Sequence, residues 1–386
     1  MNSAHEIDGH RLALLQNGSE YFPRLIAAIE RAQHSIYLET YIFAADETGR
    51  LLKACLENAA RRLVSVHVLL DGYGSADFPG KWLEEMRSHG VKIQWFRPEL
   101  ARLSLRRQRL RRLHRKLALV DERIAFIGGI NIINDLPPQM QSPRLDYAVE
   151  VEGAVVAHVA YSMRKLWRLV SWTNFRRVDR HVGRAPEPAD GQKVSFLIRD
   201  NLRHRREIEH AYLWALSHAR EEIIIANAYF LPGHRFRHFL IKAAHRGVRV
   251  VLLLQGRVEY RVQHYATLAM YEELLQAGIE IHEYSRSFLH AKVAVVDGTW
   301  ATVGSSNIDP FSLWLAREAN LVVHDAGFAG LLRTRLLQEM QSGGRQVMPE
   351  EWKRRGLWSR LVMRVSYSLI RLLADMVGYA NKLDDI

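Results

Sequence analysis

Cysteine is almost missing from this chain. Cys55 is the only one in 386 residues, so no intramolecular disulfide can form and no cysteine-built metal site is available. A reducing compartment fits that usage. Long uncharged apolar runs are missing as well, since none reaches the roughly 18 residues that a membrane-spanning helix needs. The amino terminus, Met1 to Gly18, mixes charged and apolar residues without the apolar core of a signal peptide, and no secretion is predicted. Acidic residues are outnumbered, with 42 Asp and Glu against 54 Lys and Arg, for a formal net charge of +12. That excess favours an anionic partner, either nucleic acid or an acidic membrane surface. What is present is ordinary globular composition: 48% hydrophobic and 25% charged residues exclude a disordered or fibrous chain. The length allows two compact units, because single cores stop growing near ~250 residues.

The chain repeats itself. Ile36-Tyr-Leu-Glu-Thr-Tyr-Ile-Phe43 resembles Ile223-Ile-Ile-Ala-Asn-Ala-Tyr-Phe230, and both read as buried strands. A helical apolar stripe follows each, Leu52, Cys55, Leu56 and Ala59 in one copy and Phe236, Phe239, Leu240 and Ala243 in the other. Then come Val66–Gly72 and Val250–Gly256, strands ending in glycine, a second helix, and a third strand at Val91–Phe96 or Ile279–Tyr284. Strand and helix alternate, which predicts an α/β fold of two pseudo-symmetric α/β/α layered halves, each with a mixed, mainly parallel sheet. The stretch Arg184–Gln192, with two prolines and no apolar periodicity, marks the connection. The expected units are therefore residues 1–184, residues 185–349 and a basic amphipathic segment 350–386.

Both halves carry His, one residue, Lys, four residues, Asp: His114, Lys116 and Asp121, then His290, Lys292 and Asp297. Glycine-rich segments follow, Phe126-Ile-Gly-Gly-Ile-Asn131 and Thr302-Val-Gly-Ser-Ser-Asn307. Residues two apart on a strand share a face, so each His lies beside its Lys. Asp297-Gly298 between strand-like runs signals a hairpin. A two-residue turn there would pair His290 with Ser305, and one at Asp121-Glu122 would pair His114 with Gly129. Asn131 and Asn307 then fall just past the histidines. Such a cluster suits a phosphodiester: one imidazole attacks phosphorus while ammonium and amide groups stabilise the oxyanions. A second imidazole would act as general acid, then base, which two packed halves would supply.

In these paired motifs the chain resembles the phospholipase D superfamily, over most of its length from about Leu14 to the end of the second half. The stretches His114–Asn131 and Ala301–Pro310 are similar to those of bacterial cardiolipin synthases, in their shorter B-type form. The resemblance implies transfer of a phosphatidyl group between phospholipids through a phosphohistidine. Phosphatidylglycerol would be the substrate and glycerol the released alcohol, with no metal or other cofactor. It also implies that Glu318 helps orient the site, with Asp146 in the similar place of the first half. Gly129 departs from the pattern by standing where Ser305 stands in the other copy.

Plainer roles compete. Aspartate favours turns, so Asp121 and Asp297 could be structural. Asparagine often caps loops, so Asn131 and Asn307 could do no more than that. Glu39 and Asn227, read as equivalent points of the early strands, suit a buried polar bridge and stay outside the site. The run Arg102–Arg112 holds Arg106, Arg107, Arg109, Arg111 and Arg112 with interleaved leucines, which suggests contact with anionic headgroups. Near the carboxyl end, Lys353, Arg360, Arg364 and Arg371 form one helical stripe opposite Trp358, Val362, Val365, Leu369, Leu373 and Met376. That helix either packs on its own domain or docks on a membrane. The expected setting is the cytoplasmic face of a bacterial inner membrane, peripherally bound, with anionic phospholipids as partners and no nucleic acid; the sequence sets no oligomeric state. A nuclease or a hydrolytic phospholipase with the same site chemistry stays open, and so does an inactive lipid-binding scaffold.

Overall fold

A computed structural model of the chain describes residues 4–97, 111–138, 140–173, 191–200, 203–310, 312, 315–353 and 356–383. The first half runs β1 (His5–Ile7), β2 (His10–Gln16), α1 (Asn17–Arg31), β3 (Ser35–Thr40), α2 (Glu47–Arg61), β4 (Ser65–Asp71), α3 (Gly80–Ser88), β5 (Lys92–Phe96), β6 (Lys116–Val120), β7 (Ile124–Gly128), β8 (Tyr147–Glu152) and α4 (Val155–Thr173). The second runs β9 (Val194–Arg199), α5 (Glu207–His218), β10 (Glu222–Asn227), α6 (His234–His245), β11 (Arg249–Gln255), α7 (Arg261–Leu268), α8 (Tyr271–Gln276) and β12 (Glu280–Tyr284). It continues through β13 (Lys292–Val296), β14 (Trp300–Gly304), β15 (Glu318–His324), α9 (Ala326–Gly343), β16 (Gly344–Gln346), α10 (Pro349–Lys353) and α11 (Leu357–Leu383). The junction expected near residue 184 lies outside the described residues.

Each half builds an eight-stranded sheet, in the order β1-β2-β8-β7-β6-β3-β4-β5 and β16-β12-β11-β10-β13-β14-β15-β9. The sheets are mixed, as expected, but not mainly parallel by pairing. Among the described residues only β3–β4 and β4–β5 are parallel in the first, and only β10–β11 and β11–β12 in the second. The reason is connection length. Strands joined through a helix can run parallel, whereas the motif hairpins β6–β7 and β13–β14 return through tight turns and can only be antiparallel.

Strand alternation decides where the cores lie. Leu117 and Leu119 of β6 face Val293 and Val295 of β13 across a central core between the sheets, which α4 and α9 complete. Ala118 and Val120 point the other way, into a layer with Leu25, Leu52 and Leu56 of α1 and α2. The second half does the same with Leu213, Phe236 and Leu240. Both sheet faces are covered, so the strands read as continuous apolar runs. Each leucine so buried contributes about 1.5–3 kcal/mol. The central core makes the two halves one packed body.

The carboxyl-terminal segment joins the second half's outer layer. Trp352 of α10 packs on Tyr271, with ring centroids 4.9 Å apart. Met363 and Ile370 of α11 are buried in the outer core, and Tyr367 accepts a hydrogen bond from Arg237 at 2.9 Å.

Candidate active site

The motif hairpins bring their histidines and lysines to the seam between the halves. Their register slips by one residue from the expected one: Val120 pairs with Ile124 and Val296 with Trp300. The turns themselves are two-residue turns with both central residues left-handed, Asp121 and Glu122 at φ 51° and 53°, Asp297 and Gly298 at 50° and 60°. Each closes with an N–H to C=O hydrogen bond, Arg123 to Val120 at 3.0 Å and Thr299 to Val296 at 3.1 Å. Arg123 and Thr299 then stay unpaired in the ladder, a one-residue bulge that shifts all later pairing. Lys116 therefore pairs with Gly128, and the expected His290–Ser305 and His114–Gly129 pairings do not form.

Crosswise stitching is the central feature of the site. The backbone N–H of His114 donates to the carbonyl of Arg317 at 3.0 Å, and its imidazole Nδ1 lies 2.9 Å from the Glu318 carboxylate. In the mirrored place His290 N–H donates to Leu145 at 2.8 Å, and its Nδ1 lies 2.6 Å from Asp146. Each histidine is thus held by a carboxylate from the opposite half. Nδ1–H donation to a carboxylate leaves Nε2 with its lone pair for chemistry.

Gly129 and Ser305 follow from the lengths of those carboxylates. A Cβ on Gly129 would stand 2.3 Å from Asp146 Oδ1, so the short aspartate occupies the space of any side chain there. Glutamate reaches one methylene further. Ser305 fits beneath it and donates from Oγ to Glu318 at 2.5 Å. Gly129 goes with Asp146 and Ser305 with Glu318, and neither departure is an isolated substitution.

Lys116 and Lys292 are both buried, and each donates from Nζ to the carbonyl of its own motif histidine, Lys116 to His114 at 2.5 Å. Burial and repulsion from Lys292 push the Lys116 ammonium down to about 7. Lys292 is lowered too, chiefly by burial. Burial lowers His114, with Glu318 opposing, and lowers His290 well below the usual imidazole range, with both lysines adding to the shift. Asp146 is raised to about 6 by burial, against the pull of Lys292. Two imidazoles, two ammoniums and two carboxylates thus act on one another within one buried centre. Among the described residues, no group of three or more His, Cys, Asp or Glu could hold a metal ion.

Other expected residues lie elsewhere. Asp121 and Asp297 sit in the turns, five residues beyond the lysines, or roughly 16 Å along a strand. Asp121 accepts the N–H groups of Gln33, His34 and Ser35, and Asp297 those of Arg220, Glu221 and Glu222. Burial raises Asp121, but these hydrogen bonds outweigh it and hold the carboxyl below its ordinary value. The two aspartates thus anchor the hairpin tips to the strand ahead, the turn role that competed with a catalytic one in the sequence.

Asn131 accepts the N–H of Ile42 at 3.2 Å, while Asn307 is buried with Oδ1 unpartnered. Glu39 and Asn227 prove inequivalent, since Glu39 pairs with Leu117 in the ladder and Asn227 with Lys292. Glu39 instead forms a buried ion pair with Arg115. Arg106, Arg107 and Arg109 lie outside the described residues, whereas Arg111 and Arg112 lead directly into His114. On α11, Trp358 is 76% exposed, and Arg360 and Arg364 lie along its side. The side chains of Lys353, Leu373 and Met376 lie outside the described ones.

Three residues at the centre escaped the sequence reading. The Tyr41 ring stands 5.1 Å from the His114 ring and 5.4 Å from Lys116 Nζ. Asp71 is buried and accepts the N–H of Leu113 at 2.7 Å, which fixes the residue before His114. Glu259 accepts from Tyr229 at 2.6 Å, at a cleft of about 370 Å³ that Phe230, Leu254 and Tyr260 also line. Asp71 stood in view at the end of a strand, directly before a glycine; Tyr41 carried no signal of its own.

Comparison with known proteins gives the family and the fold. The family described as cardiolipin synthase, PLD-like domain, matches residues 25–165 and 212–340. The chain is 39% identical to cardiolipin synthase B of Salmonella typhi over 387 residues, covering 96% of this chain and 90% of that one. It is 39% identical to cardiolipin synthase B of Escherichia coli (strain K12) over 376 residues, with the same coverage. Among solved structures, phosphatidylserine synthase of Haemophilus influenzae Rd KW20 superposes with a TM-score of 0.71 at 14% identity, over 95% of this chain and 94% of that one. That likeness speaks for the fold alone.

Proposed function

The chain belongs to the cardiolipin synthase, PLD-like domain family, and from that premise we propose that it moves a phosphatidyl group from one phospholipid to a hydroxyl of another. Phosphatidylglycerol serves as donor, acceptor or both, and glycerol leaves. The observation that carries the reading is the pair of imidazoles, each oriented by the other half's carboxylate, around two buried ammoniums. Nε2 of one histidine attacks phosphorus and the bond to the glycerol oxygen breaks, while the second imidazole gives that alkoxide its proton. The acceptor hydroxyl then loses its proton to the same imidazole and displaces the phosphohistidine. Lys116 and Lys292 hold the oxyanions. No step uses a metal, and EDTA is expected to leave the rate unchanged. Incubation with labelled phosphatidylglycerol tests the whole: cardiolipin, glycerol and a trapped phosphohistidine are expected, and a preparation forming neither adduct nor product rejects it.

The same reading makes the protein membrane-associated, at the cytoplasmic face of a bacterial inner membrane. Among the described residues no helix is long and apolar enough to cross a membrane. α11 supports a surface attachment. At about 100° per residue it divides into a buried arc with Met363, Ser366 and Ile370, an arginine flank of Arg360, Arg364 and Arg371, and an exposed apolar arc. Trp358, Leu361, Val365, Leu369 and Leu372 make up that last arc. An apolar face edged with arginine fits an anionic interface. Val365→Glu with Leu369→Glu should abolish cosedimentation with phosphatidylglycerol vesicles; unchanged binding rejects the contact.

A further inference from the structure

Each half ends a strand with a polar residue and a glycine, and that polar residue grips the start of its own motif. In the first half Asp71 accepts the N–H of Leu113, just before His114, at 2.7 Å. In the second, Gln255 accepts the N–H of Leu289, just before His290, at 3.2 Å. Asp71 is then filled, because its other oxygen takes the N–H groups of Tyr73 and Gly74. Gln255 is not: its Nε2 is buried with no hydrogen-bond partner among the described residues. Asp71 shows that the fold asks only for an acceptor here, so the donor half of the amide needs another reason.

Two neighbouring positions differ in the same sense. Counting from Gly72 and Gly256, Ser75 stands where Glu259 does, and in the repeated strands Ile42 stands where Tyr229 does. Ser75 spends its hydroxyl on the backbone, donating to Tyr41 C=O at 2.9 Å and accepting from Phe43 N–H at 3.0 Å. Glu259 instead accepts from the Tyr229 phenol, at a cleft lined by Tyr229, Leu254, Gln255, Glu259, Tyr260 and Gln263. The first half uses its polar groups to hold itself together, while the second presents them to a cleft.

We propose that this cleft is the alcohol site of the enzyme, where Gln255 and Glu259 together read the secondary hydroxyl of a glycerol headgroup. This rests on the transfer reaction proposed above. The cleft borders the catalytic strand, since Ala228 in its wall donates its N–H to the carbonyl of Ala291, between His290 and Lys292, at 3.0 Å. Burial lowers the Lys292 ammonium, and Asp146, Glu318 and Glu259 oppose that shift, so the charge of Glu259 reaches the catalytic centre. Burial raises the Tyr229 phenol, with Glu259 adding, which keeps it a donor. Its hydrogen bond fixes Glu259 through one oxygen, and a carboxylate has accepting capacity beyond that.

Reaction geometry says which part of the lipid enters. The departing glycerol and the acceptor lipid's glycerol are served by the same imidazole, so they occupy one place in turn. Each carries a second hydroxyl on the carbon next to the one that bears the reacting oxygen. A hydroxyl both donates and accepts, so it satisfies the Glu259 carboxylate and the Gln255 amide at once. An ammonium headgroup only donates, and would answer Glu259 while leaving Gln255 Nε2 as it is. A site with buried polar groups left unpaired by the wrong ligand discriminates strongly for the hydroxyl that pairs them.

A partition experiment tests the site. The full-length chain, in mixed micelles of neutral detergent with phosphatidylglycerol, is offered propane-1,2-diol and 1-propanol in equal amounts. One phosphoenzyme then divides between two products that differ by a single hydroxyl, so their ratio is blind to the donor step. The wild-type protein should favour the diol about 10- to 100-fold, and Gln255→Glu and Glu259→Gln should each cut that preference about 5- to 10-fold. Both substitutions keep the acceptor oxygen on which a neighbour depends, Leu289 N–H for one and Tyr229 O–H for the other, so the fold stands. A wild-type protein indifferent to the second hydroxyl overturns the proposal, and so do variants that retain the full preference. If ethanolamine outcompetes the diol and Glu259→Gln removes that advantage, the cleft takes an ammonium and the polyol site is rejected. A wild-type protein that forms neither these products nor cardiolipin overturns the transfer reaction itself.

Discussion

The first and second halves place His and Lys alike, yet they finish the site with different carboxylates. Asp146, close-fitting against Gly129, holds His290. Glu318, with Ser305 beneath it, holds His114. A duplicated fold has thus kept its geometry while its two imidazoles came to sit in unequal surroundings. The inequality suits a reaction in which one nitrogen bonds to phosphorus and the other carries protons.

The bluntest way to break the comparison is to remove either imidazole. His114→Ala and His290→Ala should each cost more than about 10⁴-fold in turnover, because the groups act as a unit. A wild-type rate from either variant ends the two-histidine mechanism. Next come the carboxylates. Glu318→Gln and Asp146→Asn should each lower kcat about 10²- to 10³-fold with KM nearly unmoved, since each acts through a histidine. Steady-state kinetics on both separates the halves, and a change confined to KM would reject the orienting role.

The pH profile sharpens the contrast. Asp146 must be ionised, which needs a pH above about 6, and Lys116 must be charged, which needs a pH below about 7. The kcat/KM of the free enzyme should rise through the first value and fall through the second. Lys116→Arg, whose cation does not titrate in this range, should remove the alkaline limb; an unchanged limb assigns it to another group.

A smaller effect tests the Gly129 pairing. Gly129→Ser should destabilise by about 1–3 kcal/mol by overpacking against Asp146. Adding Asp146→Glu should recover most of the loss, as seen in denaturant melts of a double-mutant cycle. Strict additivity would mean that the two residues are independent. The smallest loss of turnover is expected at the motif's own aspartates. Asp121→Asn and Asp297→Asn should cost about 1–3 kcal/mol of stability while kcat per folded molecule stays nearly whole.

Much of this was legible in the sequence, because hairpin and helix signals are local. Asp297-Gly298 announced its turn, and the strand runs appear as β6 and β13, which open at Lys116 and Lys292 two residues after His114 and His290. What failed was whatever depended on one residue of register or on contacts between distant segments. Arg123 and Thr299 bulge out of the ladder, and a slip of one flips every later facing. The crosswise bonds join residues 204 and 144 positions apart, which no window on the chain can see. The turn role open to the motif's aspartates is the one their hydrogen bonds fill, with strand length carrying them away from the lysines. In α11 the arginine stripe was visible, but a third, inward arc through Met363 and Ile370 was not, because it declares itself only against α7.

The crosswise hydrogen bonds also mean that the enzyme has no half-active form. If the halves part by even an ångström, His114 loses Glu318 at the same moment that His290 loses Asp146, so attack and proton delivery fail together. Catalysis in this chain therefore doubles as a gauge of assembly, and any slackening of the seam, wherever it begins, silences the whole reaction at once.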